Sequence, residues 1–154
     1  MTRGPRLLGI DYGSVRIGLA ISDANRQIAS PLATYRRTSK QYDSRYFRQL
    51  VETEEISELI VGLPIHLSGR IGKKAEEARA LGKWLHEVTG LPVIFWDERF
   101  TSAEAEDHLL AAGLTSKRRK ERRDRVAAQI LLQSYLDAGC PGEQPIAPLS
   151  EPEA

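Results

Sequence analysis

The chain has 154 residues, 41% of them hydrophobic and 28% charged, with 22 Lys and Arg against 21 Asp and Glu for a formal net charge of +1. That is one domain's length with an ordinary globular balance, enough to bury a core without staples, and it excludes a basic tail protein and an acidic solvating chain. The single cysteine, Cys140, excludes an internal disulfide and a multi-cysteine zinc site. With no apolar run near the ~18 residues of a membrane span and no charged-then-apolar leader, the expectation is a non-secreted, cytoplasmic protein without a membrane partner.

Residues 6–12 read as an apolar strand ending in an acid, with Asp11-Tyr12-Gly13-Ser14 as the turn. Residues 17–22 and 27–35 supply two more strands, and the short turns between them predict an antiparallel meander. Pro31 cannot donate to a ladder, so the third strand is expected at an edge. Phe47, Leu50 and Val51 then follow helical spacing within residues 42–55. Residues 58–63 form a nearly continuous apolar run, the pattern of a buried parallel strand.

Ile71, Ala75, Ala78, Leu81, Leu85 and Val88 stripe a longer helix that Gly90 and Pro92 stop. Residues 92–96 make a fifth strand, again followed by acids. Thr101 and Glu104 resemble a capping box for a helix to about Ala112. After a basic linker, residues 121–138 make the last helix. The order is β-β-β-α-β-α-β-α-α, giving one domain over residues 1–138. Residues 139–154 hold Pro141, Pro145, Pro148 and Pro152 and are expected to be a mobile acidic tail.

The neutral total hides an uneven distribution. Every Lys and Arg lies at or before Arg125, so residues 1–138 carry a net charge of +4. Lys117, Arg118, Arg119, Lys120, Arg122, Arg123 and Arg125 crowd together, and Arg36, Arg37, Lys40, Arg45 and Arg48 form a second group.

Two acids take equivalent places, Asp11 at the end of the first strand and Glu98 just after the fifth. In open α/β sheets function collects at the carboxyl ends of parallel strands, so the two are expected on one edge with the Gly62-Leu63-Pro64 turn. Asp124 shares a helical face with Ala127, Ala128, Leu131 and Tyr135, where an acid is costly unless it is paired or metal-bound, or sits in a first turn favoured by the helix dipole. Three carboxylates without a His or Cys cluster suit hard cations such as Mg²⁺ or Mn²⁺. Two such ions ~3.5–4 Å apart serve phosphodiester hydrolysis. The basic clusters would then hold a phosphate backbone.

GIDYGSVRIGLAISD (9–23), LIVGLP (59–64), DERFTSAEA (97–105) and DRVAAQILLQSYL (124–136) together resemble the YqgF family, which is Holliday-junction-resolvase-like. The resemblance runs in order through residues 6–138. It implies an α/β, RNase H-like mixed five-stranded sheet of order 3-2-1-4-5 flanked by helices. It implies a nuclease of 16S ribosomal RNA precursor 5′-end maturation, and so ribosome biogenesis, in the cytoplasm. The family's acidic triad falls on Asp11, Glu98 and Asp124, as catalytic residues and ligands of two divalent ions. After the fourth strand, Gly62-Leu63-Pro64 offers no acid where resolvases carry one.

Arg16, Arg70, Arg99, Lys117, Arg118, Arg119, Lys120, Arg122 and Arg123 are the expected nucleic-acid contacts, with Arg16 and Arg99 also suited to orienting the acids. The expected partner is structured RNA. Alternatives are a resolvase-like endonuclease on branched DNA and a non-catalytic nucleic-acid-binding module. Monomer and homodimer both stay open, although symmetric cutting of a four-way junction would favour two active sites.

Overall fold

The computed structural model describes residues 4–64, 72–98 and 116–142, with the backbone alone described for residues 116–119. Five strands, β1 (Arg6–Asp11), β2 (Arg16–Ser22), β3 (Ala29–Arg36), β4 (Ile56–Leu63) and β5 (Val93–Asp97), form one sheet. The order across it is β3-β2-β1-β4-β5, as expected. β1 pairs antiparallel with β2 and β2 with β3, while β4 runs parallel to both β1 and β5. Among the described residues three helices accompany the sheet, α1 (Lys40–Thr53), α2 (Lys73–Thr89) and α3 (Ser116–Asp137).

Local chemistry sets the connections. A Cβ on Gly13 would stand 2.0 Å from the Arg16 carbonyl oxygen, so the β1–β2 turn closes only around a residue with no side chain. The β2–β3 turn is tied by the Asp23 carboxylate, which accepts from the amides of Gln27 at 2.8 Å and Ile28 at 3.0 Å. Those amides hold its carboxyl below the ordinary range. Ser39 caps α1 by accepting from the Tyr42 amide. Gly90, in the left-handed region at φ 73°, ends α2 where the periodicity stops. Pro31 lies on the edge strand β3, beside an irregularity in its ladder with β2.

Alternation in the strands divides the core in two. Leu8, Ile10, Leu19, Leu59 and Val61 face α1 and α2, together with Phe47, Ala78 and Leu85 from those helices. Leu7, Ala20, Ile60 and Trp96 face α3, against Ala128, Leu131, Leu132 and Tyr135. β4 contributes to both layers, which is why its sequence is almost unbroken apolar.

The last helix differs from its expected start. It begins at Ser116, not near residue 121, so the basic run is helical rather than a linker. Lys, Arg and Glu are good helix formers, and residues 116–125 contain no Gly or Pro to interrupt them. Asp124 is consequently well inside the helix, and a first-turn dipole no longer accounts for it. The helix expected over residues 101–112, His66, Ser68, Arg70, Arg99 and the tail from residue 143 lie outside the described residues.

Candidate active site

Beside Leu7, Ile60 and Trp96, the face of the sheet beneath α3 carries small residues at alternate strand positions, Gly9 on β1, Gly18 and Ala20 on β2, and Gly62 on β4. A Cβ on Gly9 would meet Leu132 Cβ at 2.8 Å, and one on Gly18 would meet the Asp124 carbonyl oxygen at 1.9 Å. One on Gly62 would meet Glu98 Oε1 at 2.6 Å and Leu131 Cδ2 at 2.9 Å. Such distances leave no room for a side chain, so these glycines let the helix and the Glu98 carboxylate lie directly on the sheet.

That close approach places the three acids. Asp11 ends β1 in register with Gly18 of β2. The β1–β4 ladder pairs Ile10 with Val61, so its next step sets Asp11 beside Gly62. Leu7 and Gly9 both face α3, and alternation puts Asp11 on the same face. Across the sheet, the backbone of Asp124 therefore lies over β2, Asp11 projects from β1, and the Glu98 carboxylate lies over β4. A side chain at Gly62 would require the tips of Glu98 and Leu131 to shift.

Helix α3 is pinned from both sides. Along β3, the Ala29 amide donates to Gln133 Oε1 at 2.8 Å, Gln129 Nε2 donates to the Ala29 carbonyl at 3.1 Å, and the Thr34 hydroxyl donates to the Glu121 carbonyl. On the β5 side the Trp96 indole donates to Ser134 Oγ at 3.1 Å, and its ring meets Tyr135 edge-on at 5.2 Å. These contacts fix the rotation of α3 and hence the height of Asp124.

The Asp124 carboxylate accepts from Arg16 Nε at 2.8 Å, with both side chains partly exposed. Arg16 thus serves an acid of the site rather than standing ready for phosphate. Among the described residues, no three His, Cys, Asp or Glu side chains close on a single point as a metal cluster would. The acids instead span three adjacent strands, with Asp124 turned to Arg16. Lys120 and Arg123 are exposed on α3 and Arg122 is half-buried, while the side chains of Lys117, Arg118 and Arg119 lie outside the described set. Asp97 is the buried last residue of β5.

A groove of about 300 Å³ is lined by Asp124 together with Arg16, Val15, Lys74 and Glu77. Tyr12 donates to Glu77 Oε2 across it at 2.6 Å. Burial, and then the neighbouring Glu77 carboxylate, push the Tyr12 phenol above its ordinary value, so it stays a donor. Sequence reasoning passed over Lys74, Glu77 and the glycine track. Only the track left a local signal, in small residues alternating along β1 and β2.

A family model described as RuvX, Holliday junction resolvase, matches residues 5–138. The chain belongs to that family. Among curated relatives, a Rhodopirellula baltica protein is 44% identical over 133 residues, covering 86% of this chain and 77% of the relative. One from Koribacter versatilis is 41% identical over 143 residues, covering 92% and 94%. Both bear the name "Putative pre-16S rRNA nuclease". Among solved structures, Thermus thermophilus RuvC in complex with Holliday junction substrate matches with a TM-score of 0.53 and 18% identity, over 87% of this chain and 96% of that one. Fowlpox virus resolvase, solved with substrate Holliday junction DNA, matches with a TM-score of 0.54 and 14% identity, over 86% and 97%. The last two establish the resolvase-type fold of this RuvX chain.

Proposed function

We propose that this chain is a divalent-metal-dependent nuclease that hydrolyses phosphodiester bonds in 5′-end processing of 16S rRNA precursor, in the cytoplasm. The observation that carries the reading is the placement of Asp11, Glu98 and Asp124 on one face, across three adjacent strand positions that glycine leaves open. An acid directly on glycine backbone contributes nothing to packing, and three together repel one another unless cations intervene. The names of the curated relatives supply the RNA.

The donor set fits Mg²⁺ or Mn²⁺ in its chemistry, since all three side chains offer carboxylate oxygens. Asp11, Glu98 and Asp124 would hold the ions. When bound, a pair of ions supplies an activated water and charge stabilisation at the leaving oxygen. The chain's own residues do the rest. Arg16 orients Asp124 and offsets its charge at 2.8 Å. Gly62 and Gly18 fix the separation of the carboxylates by fixing where Glu98 and α3 rest. Lys74 on one wall of the groove, and Lys120 and Arg123 on α3, attract the polyanionic backbone.

Branched DNA is a second substrate reading, favoured by the family's description as a Holliday junction resolvase. A homodimer would serve that chemistry and a monomer the RNA. The deciding experiment incubates the protein with 16S precursor RNA, unstructured RNA and a four-way DNA junction, each with Mg²⁺, Mn²⁺ or chelator. Metal-dependent trimming of the precursor supports the first reading. Preferred cutting of the junction supports the second. Binding without cleavage under every condition reduces the chain to a nucleic-acid-binding module.

A further inference from the structure

The groove lined by Asp124 also has Tyr12 and Glu77 in its wall. Tyr12 follows Asp11, so by alternation it falls on the opposite face, where it packs against the α1/α2 core. There Tyr12 and Glu77 also line a second cavity, of about 250 Å³, which extends to Trp84 on α2 and to Arg37 and Lys40 at the start of α1. The two cavities share Tyr12 and Glu77 in their walls.

The chemistry of this second cavity is specific. Its acids are already engaged: Asp43 accepts from the Tyr35 hydroxyl and from the amide and hydroxyl of Thr38, and Glu77 accepts from Tyr12. Its cations are paired with no described carboxylate. Lys40 makes no ion pair with any described residue, and Arg37 lies 5.8 Å above the Tyr12 ring, interacts with the Tyr12 hydroxyl and has a long 3.4 Å contact to the Gly13 carbonyl. Trp84 and Tyr12 are half-buried, each presenting part of a ring to the cavity. Aromatic walls beside two cations that no described carboxylate neutralises match a base joined to a phosphate.

We infer that this cavity is a subsite for one unpaired nucleotide of the strand whose phosphate lies at the acids. The base stacks on Trp84, and Arg37 and Lys40 hold the adjoining phosphate. A base inside a duplex is covered on both faces by its neighbours, so the subsite selects single-stranded chain beside the cleavage point. The assignment of strand and direction rests on the nuclease reading; the recognition chemistry of the pocket does not.

The test is binding in chelator, so that no cleavage is needed. A short single-stranded oligoribonucleotide is titrated into the full chain while tryptophan emission is read. Trp96 is only 4% exposed, which leaves Trp84 as the reporter. A saturable quench is expected, and it disappears in Trp84→Phe while affinity holds. Trp84→Ala weakens binding by about tenfold, as loss of one stacked base does. Arg37→Ala combined with Lys40→Ala weakens it similarly and flattens its salt dependence.

Unchanged affinity in Trp84→Ala and in the double variant, at unchanged melting temperature, overturns the subsite. So does equal affinity for a duplex or for a free mononucleotide. If the variants behave as expected but no metal yields cleavage, the nuclease reading fails and the subsite stands. If cleavage is intact and the variants bind normally, only the subsite fails.

Discussion

The two faces of the sheet are built to different specifications. Towards α1 and α2, the strands present Leu8, Ile10, Leu19, Leu59 and Val61, large side chains that hold the helices off the sheet and fill the gap. Towards α3, the same strands present Leu7 and Ile60 but also Gly9, Gly18, Ala20 and Gly62, and at the glycines the helix comes down onto bare backbone. The first arrangement maximises buried apolar area. The second gives up much of that area and gains position, setting Glu98 and the backbone of Asp124 at fixed places beside Asp11. Stability and site geometry are thereby assigned to opposite sides of one sheet.

Substitutions can break this division. The largest effect on stability belongs to the filled face. Leu59→Ala removes a fully buried side chain there and should cost about 2–5 kcal/mol in denaturant unfolding. The folded fraction should retain its cleavage rate within about twofold, since cavities of this kind leave the opposite helix in place.

On the bare face the pattern reverses. Gly18→Ala puts a methyl 1.9 Å from the Asp124 carbonyl, and backbone must move to admit it. The stability cost should be about 1–3 kcal/mol, smaller than for Leu59→Ala, yet cleavage per folded molecule should fall further. Equal activity losses from the two variants, measured at matched folded fraction, would dissolve the distinction.

A pH effect follows from the tyrosines, three associated with the filled face and one with the bare face. Tyr12, Tyr35, Tyr46 and Tyr135 all have phenols raised above their ordinary value of 10.0, chiefly by burial. Below that value both folded and unfolded chains keep these protons. Above it the unfolded chain ionises first, so stability should fall as pH rises through the folded values. Unfolding free energy measured against pH in the alkaline range should decline, and less steeply in Tyr46→Phe. The smallest effect is expected at Arg6–Glu54, a partly exposed pair at 3.2 Å on the far edge from the acids. Arg6→Gln should change stability by less than about 1 kcal/mol and leave cleavage untouched.

The legible parts of this molecule were those written in local pattern. Period-two and period-3.6 spacing locate the described elements to within a few residues, except at the start of α3, where helix-forming Lys and Arg read as a linker. Asp11 and Glu98 stood out because each follows an apolar run, and Pro31 marked an edge. The strand order came with the family resemblance, since pairing across the sheet joins residues far apart in sequence. Distance in sequence also hid the Arg16–Asp124 pair, separated by 108 positions, and the Tyr12–Glu77 bond, separated by 65. Gly62 read as the absence of an acid. Only in three dimensions does it become the place where Glu98 rests.

The central claim is that Asp11, Glu98 and Asp124 act together as a metal-dependent cleavage site. Its most direct test is the single-turnover cleavage rate of 16S precursor RNA by Glu98→Gln against the unmodified chain, at saturating Mg²⁺ and matched folded fraction. Glutamine keeps the shape over Gly62 and removes the charge. The account predicts a loss of about a hundredfold or more with an unchanged melting temperature. A rate within about threefold of the unmodified chain would contradict it.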